Sequence, residues 1–491
     1  MEIKNRGKII ALTLILILSA VFAAGCKDGA EKTPGGNDPV NPAENAPEET
    51  TGDGLFYDKV PEFDLEGYEY KVVTGVYSRD HQELFPEEEM GDILNDTIYA
   101  RNRKIEERFK MNFKSSVIGL FELLPAIRKN VKAGDNAFDM YMQIDREAYT
   151  AAGENLVYPL YKLPYIDLTQ PYWCRLANEQ LTLGGKQYIA FSDDNLSHFE
   201  SAVVVYFNKK QVQDLGLEDI YALVKSGNWT HNKFYEYAKA AVKDLDGDGK
   251  ITKADIWGMA SEEDFLFPCF WTSAGLTLAA KDENDIPYFA VPGNEKFFNI
   301  AATVVAEINK SNAGICYIEQ SSTEERVAFF RNGGVLFSVG SIRDMVQLRD
   351  MPDDFGIVPF PKYTAEQPQY YSRVCGGFPY VIPITCDNPE LVGAVMEAMA
   401  CAARNEIVPA YYEWSLQNKY SRDPDTVEML DLIFDTRMYD LGDTIWYSPI
   451  RIGYTAVFLK GEDTFVSFTE KNEQKYRDAI EKSVNAILEN G

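Results

Sequence analysis

The stretch KDLDGDGKITKAD, residues 243–255, carries the sharpest chemical signal in the chain. Asp244, Asp246 and Asp248 alternate, so they stand at positions one, three and five of a loop counted from Asp244. Gly249 at six allows a sharp turn, Lys250 at seven offers its backbone carbonyl, Thr252 sits at nine, and Asp255 closes at twelve. A hard cation takes six or more oxygens at such spacing. Three carboxylates this close repel one another unless a cation offsets the charge. The pattern implies a structural calcium that stiffens a helix exit. Asp stands at twelve where a longer Glu usually supplies two oxygens. The same residues also read as an acidic, glycine-rich solvated turn.

A second chemical signal lies at the N-terminus. Lys4, Arg6 and Lys8 precede the apolar run Ile9 to Phe22, which is too short to span a bilayer comfortably and suits a secretory signal. Ala23-Ala24-Gly25-Cys26 then places small residues before a cysteine, the pattern of a bacterial lipobox. Residues 1–25 read as a lipoprotein signal peptide and Cys26 as the site of lipid attachment (diacylglycerol and palmitate). Residues 26–54 hold no aromatic residue and are rich in Pro, Gly and acids. They cannot bury enough surface to order themselves, so they read as a disordered, lipid-anchored linker. The location expected is the outer face of a bacterial cell membrane, with the lipid as the only membrane contact.

Composition narrows the function classes. Asp and Glu outnumber Lys and Arg 76 to 48, for a net charge of −28, which argues against a phosphate-binding nucleic-acid surface. Three histidines leave little room for a multi-His metal centre or a His-based triad. No catalytic group or cofactor motif such as GxSxG, HExxH, GxGxxG or a Walker loop occurs. Besides Cys26 there are six cysteines in a long chain, and no CxxC, so neither a disulfide scaffold nor a zinc ribbon is implied.

The elements that must position these groups alternate. Tyr68 to Val76 reads as a strand, and Leu94, Ile98, Ile105 and Phe109 share one helical face. Met111 to Val117 is strand-like, Phe121 to Val131 helical, and Phe138 to Ile144 strand-like again. This βαβαβ order implies a parallel sheet covered by helices. Ala202 to Phe207 and Gly334 to Val339 are further strands, Thr230 can cap a helix over 231–243, and Asn388-Pro389-Glu390 opens another.

Taken in order, these segments resemble family 1 extracellular solute-binding proteins, the sugar-binding lipoproteins of ABC-type importers. GDILNDTIYARNRKIEERF (91–109) resembles the first long helix of the longer Gram-positive members. VVVYFNKKQVQDLGLED (203–219) resembles the "YNK" segment, and GNWTHNKFYEYAKAA (227–241) the "W-T-x-x-x-F" helix entry. AFFRNGGVLFSVGS (328–341) and FGIVPFPK (355–362) resemble the return crossover and the strand after it. The resemblance spans about residues 66–490. It implies an α/β, type II periplasmic-binding-protein fold, with two discontinuous lobes around a ligand cleft. Lobe one would be 55–200 with 338–384, and lobe two 201–337 with 385–491. It also implies a non-enzymatic, monomeric protein. Such a protein captures an oligosaccharide by lobe closure and delivers it to ABC importer permease subunits.

Sugars present flat C–H faces and rings of hydroxyls, so a binder needs aromatic platforms and planar polar groups. The candidates near expected lobe edges are Trp173, Asp193, Asp194, Asn195, Trp271, Ser341, Arg343, Trp446 and Tyr447. Two other classes remain open from the residues alone. One is a secreted glycosidase, which needs only two suitably spaced carboxylates. The other is a surface scaffold or adhesin component.

Overall fold

The structure, a computed structural model, describes residues 54–76, 84–308, 314–319, 322–417 and 424–490. The expectations for the signal segment, Cys26 and all but the last residue of the linker lie outside these residues.

Two sheets organise the chain. The first contains β1 (Tyr68–Val76), β2 (Met111–Gly119), β3 (Met140–Met142) and β12 (Tyr380–Val381), in the order β12-β3-β1-β2. β1 runs parallel to β2 and β3, as the segment order implied, and β12 joins antiparallel. Val72, Val73 and Thr74 are all buried, because a central strand covered on both faces has no solvent side. Helix α1 (Ile93–Phe109) starts where the Asp92 carboxylate accepts from the Leu94 and Asn95 N–H groups. Its buried face carries Leu94, Ile98, Ile105 and Phe109, the stripe read from the sequence.

The second sheet has the order β10-β4-β9-β5-β8. Its strands are β4 (Val203–Asn208), β5 (Trp257–Ser261), β8 (Cys316–Ile318), β9 (Val335–Ser341) and β10 (Phe355–Pro359). β5 is parallel to β8 and β9, while β4 is antiparallel to β9 and β10. A hairpin of β6 (Ala279–Lys281) and β7 (Pro287–Phe289) and a short pair, β11 (Ser372–Arg373) with β13 (Arg437–Met438), complete the strands among the described residues.

The pairing redraws the expected lobe boundaries in two places. β10 had been grouped with the first lobe but pairs with β4 in the second sheet, along Phe355–Asn208 to Pro359–Val204. Helix α4 (Pro389–Gln417) had been grouped with the second lobe but lies along α1 in the first half. There Arg101 Nη1 donates to Met399 O at 3.2 Å and Tyr70 Oη to Val392 O at 3.3 Å. The α4 residues Val392, Ala394, Val395, Ala398, Met399 and Ala400 are buried, and this wide apolar face fits a helix packed on more than one side.

The halves are joined where two crossings, at 201–202 and 374–375, lie beside the Ser341–Ile342 turn. The Ile342 N–H donates to Ala202 O at 3.0 Å, the Cys375 N–H donates to Ser201 O at 3.2 Å, and Ala202 bridges Val374. One crossing lies by Ser201; none falls near Gly340, because β9 and β10 both belong to the second sheet. The return is at 374–375 rather than near Thr385, since Ile384 is bonded to Leu156 within the first half. Gly340 has a steric reason to be glycine: a Cβ there would come within 2.2 Å of Asp344 Oδ2 and 2.6 Å of Arg326 Nη2.

Candidate functional site

Ligands of α/β sheets bind beyond the carboxyl ends of parallel strands, where helix N-termini and loops converge. Two such ends matter here. β3 runs into α2 (Asp145–Gly153), and β5 runs into α3 (Glu263–Thr272). β9 ends at Ser341, and the Ile342 N–H bonds to Ala202 O beside the first crossing.

Asp145 opens α2 next to the return crossing at 374–375, with its N–H donating to Gly377 O at 3.0 Å. Burial pushes its carboxyl up to about 6, against the opposing Arg146 N–H, and the Asp443 charge adds to the rise. The Arg146 guanidinium lies over the Tyr447 ring at 4.8 Å, and that of Arg451 over the same ring at 4.2 Å. Arg451 also pairs with Asp264 at 2.6 Å and with Asp443 at 2.9 Å, and Asp443 takes a further bond from Arg373 Nη2 at 3.0 Å. Nearby, burial pushes the Asp440 carboxyl up to about 7, with Asp443 contributing. The Leu278, Gly442 and Ala279 N–H groups oppose this rise. Glu263, half-buried in the first turn of α3, is likewise held above the usual range by burial. Arg343 donates to Ser201 Oγ at 3.4 Å and lies over the Phe378 ring at 5.6 Å. Two guanidinium groups lie over the Tyr447 ring, and Asp443 and Asp264 pair with one of them, a chemistry suited to recognising hydroxyls.

The structure brings together only part of the residues singled out in the sequence. Arg343 follows the end of β9, and Tyr447 opens the turn Tyr447–Arg451 with its ring under Arg146 and Arg451. Ser341 ends β9, but its hydroxyl is used on Asp344 Oδ1 at 3.2 Å. Trp173, Trp271 and Trp446 are each 1% exposed and are core anchors here. Trp173 donates its ring N–H to Glu397 at 2.8 Å, and Trp446 donates to Ser483 Oγ at 3.3 Å. Trp271 packs between Phe297 and Phe458. Asp193, Asp194 and Asn195 form an internal polar network rather than an open edge. Asp194 pairs with buried Arg101, Asp193 faces His198 at 3.5 Å and Arg404 at 3.4 Å, and Asn195 donates to Phe378 O at 3.0 Å. Asp145, Arg146, Glu263, Asp264 and Arg451 were not singled out in the sequence. The first four share a signal: an apolar strand, YMQI or WGMAS, followed directly by charged residues that begin a helix.

The loop at 244–255 is wound as its spacing suggested. Asp244 accepts from the Gly247 and Gly249 N–H groups at 2.7 and 2.8 Å, and Gly249 has φ +80°. Asp255 accepts from Leu245 and Thr252, each at 2.8 Å, and these bonds hold its carboxyl below the usual range. Oxygens of Asp244, Asp246 and Asp255 lie within 4.8 Å of one another, a convergence that fits a hard cation. Asp248 stands outside this trio and accepts from the Lys250 N–H at 2.7 Å.

No family model and no curated protein matches the chain. Solved structures do match. One is an ABC substrate-binding protein from Listeria monocytogenes in complex with cycloalternan, 13% identical, with TM-score 0.54 over 86% of this chain and 98% of that one. Another is the GacH receptor of Streptomyces glaucescens, solved unliganded and with acarbose, 12% identical, with TM-score 0.56 over 84% and 99%. A third is UgpB from Mycobacterium tuberculosis in complex with glycerophosphocholine, 16% identical, with TM-score 0.55 over 86% and 98%. At these identities the likeness establishes the fold: the mixed α/β, two-lobed architecture of such binding proteins.

Proposed function

We propose that this protein is an extracytoplasmic solute-binding lipoprotein that captures a carbohydrate and hands it to an ABC-type importer. What supports the reading is the two-lobed fold together with polar groups beside the two crossings: Arg343 after β9, Arg146 after β3, Glu263 after β5, and Tyr447 under Arg146. Planar polar groups from both halves can then surround one ligand, and closure follows from the better fit of the shut state. The structural neighbours support the carbohydrate class, since two of the three were solved with oligosaccharide-type ligands. Attachment through a lipid on Cys26, permease partners on the same membrane, a monomeric state and a structural calcium held by Asp244, Asp246 and Asp255 belong to the same proposal. Lys250 O and Thr252 would complete that cation's shell.

A thermal-shift screen with maltotriose, maltotetraose, acarbose and glycerophosphocholine tests the reading. A concentration-dependent rise in melting temperature with an oligosaccharide, which chromatography then recovers intact, is the expected result. Steady release of shortened sugar would overturn it in favour of a glycosidase.

A further inference from the structure

β6 and β7 form a hairpin outside the two main sheets, and a two-stranded hairpin alone is marginally stable. Its tip is held by the Gly184 N–H, which donates to Asp285 O at 2.8 Å. Its second strand is held by Phe289, whose ring packs edge-on against Tyr476 at 5.3 Å. Tyr476 belongs to the last helix, α5 (Phe465–Asn490). Hairpin and helix are therefore fixed against each other, and between them lies a groove of about 340 Å³. That volume falls within the range of small-molecule pockets, about 300–1,000 Å³. The floor is apolar, with Phe289, Ile480 and Val484 buried. The walls are exposed: Tyr288 from the hairpin, and Gln474, Arg477, Glu481 and Asn485, which recur at helical spacing along one face of α5. The helix turns a different face toward the Tyr447 turn, where Ser483 accepts from Trp446. The groove is thus separate from the site beyond β3 and β5.

We propose that this groove is a second carbohydrate site, one that holds a stretch of a longer glycan chain at the surface. A sugar needs a flat apolar platform and planar polar groups that donate and accept. Tyr288, 44% exposed, supplies the platform beside the apolar floor. Arg477 Nε and Nη2 donate to Glu473 Oε1 at 2.9 and 2.8 Å, which holds the guanidinium in place and leaves Nη1 to donate. Gln474 donates its amide N–H to Asp478 at 2.7 Å and keeps its oxygen as an acceptor. Glu481 and Asn485 have no hydrogen-bond or ion-pair partner among the described residues, so both are open to hydroxyls. An open groove lets a chain run through and leave at both ends, whereas a cleft that shuts takes a short ligand whole. With both, the protein stays on a polymer and keeps short fragments at high local concentration near the cleft. The class of ligand rests on the proposed function; the place of the groove does not.

The test is native electrophoresis of the full mature chain through gels containing soluble starch, xyloglucan or galactomannan, with a gel free of polysaccharide as reference. At least one polymer is expected to retard the chain, and the retardation should persist when Glu263→Ala is combined with Arg343→Ala. Tyr288→Ala is expected to weaken the apparent affinity about fivefold, the weight of a lost aromatic platform, and Asn485→Ala by a similar factor for one hydrogen bond. Tyr288→Phe should keep most of the retardation. Both positions are exposed, and circular dichroism melts confirm that each variant is folded. Retardation by none of the polymers, unchanged retardation in Tyr288→Ala, or retardation abolished by the Glu263 and Arg343 substitutions would each overturn the second site. Calorimetric titration of short sugars into Tyr288→Ala reads the cleft alone and keeps the two failures apart. A chain that polymers retard but that takes up no short sugar contradicts the proposed function and leaves the groove standing.

Discussion

Trp173→Phe should lower the stability of the protein and leave oligosaccharide binding intact. The indole N–H donates to Glu397 Oε2 at 2.8 Å, and the same carboxyl accepts from Tyr172 Oη at 2.6 Å and from the Asp167 N–H at 3.1 Å. Phenylalanine keeps most of the ring and deletes the donor. A hydrogen bond to a charged group contributes about 1.5–3 kcal/mol, and the unfilled volume adds roughly 1 kcal/mol. The expected loss is therefore about 3 kcal/mol of unfolding free energy at pH 8, where Glu397 is mostly ionised. Urea denaturation followed by circular dichroism measures it, and calorimetric titration with the screened sugar measures affinity. An unchanged urea midpoint together with a large loss of affinity would refute the reasoning. It would return Trp173 to the ligand surface.

Four further outcomes follow from named groups. Burial raises the Glu397 carboxyl from 4.5 to about 7, so the fold favours its protonated form. This contribution is fully present below pH 4.5 and is lost as pH rises through 7, so melting temperature should decline across that window and Glu397→Gln should flatten the decline. Asp440, raised from 3.8 to about 7, has the same sign, and Asp440→Asn should act likewise. Millimolar calcium should raise the melting temperature relative to a chelator, by about 2.7 kcal/mol of stability at a hundredfold excess over Kd, and Asp246→Asn should abolish the shift. An equal shift in the variant would place the ion elsewhere. Cys26→Ala should leave the precursor unprocessed by the lipoprotein signal peptidase, and normal maturation with membrane retention would contradict lipid attachment.

Much of the first sheet was legible because its signals are local. Asp92 caps α1, the apolar stripe faces the sheet, and alternation of strands and helices specifies parallel pairing. The exchange between halves was not legible, because it depends on pairings between distant segments. FGIVP reads as a strand from its own residues, but only the Tyr206–Ile357 register assigns it to the second sheet. The candidate site divides the same way. The segment order could put Arg343 just after a strand end, whereas a tryptophan suited to stack on a sugar is equally suited to anchor a core. Trp173 was decided by Glu397, more than 200 positions away, which no local spacing could announce. Asp145 and Arg146 were overlooked because a charged pair after a short strand usually just begins a helix.

Calorimetric titration of maltotetraose and acarbose, with chromatography of the recovered sugar, addresses the central claim most directly. The account expects saturable one-to-one binding of at least one of them and recovery of unaltered sugar. It also expects affinity to fall at least about tenfold, two hydrogen bonds of roughly 1 kcal/mol each, when Glu263→Ala is combined with Arg343→Ala. Trp271→Phe should retain full affinity. Accumulation of shortened sugar, or binding that survives the double substitution unchanged, would contradict capture at the converging strand ends.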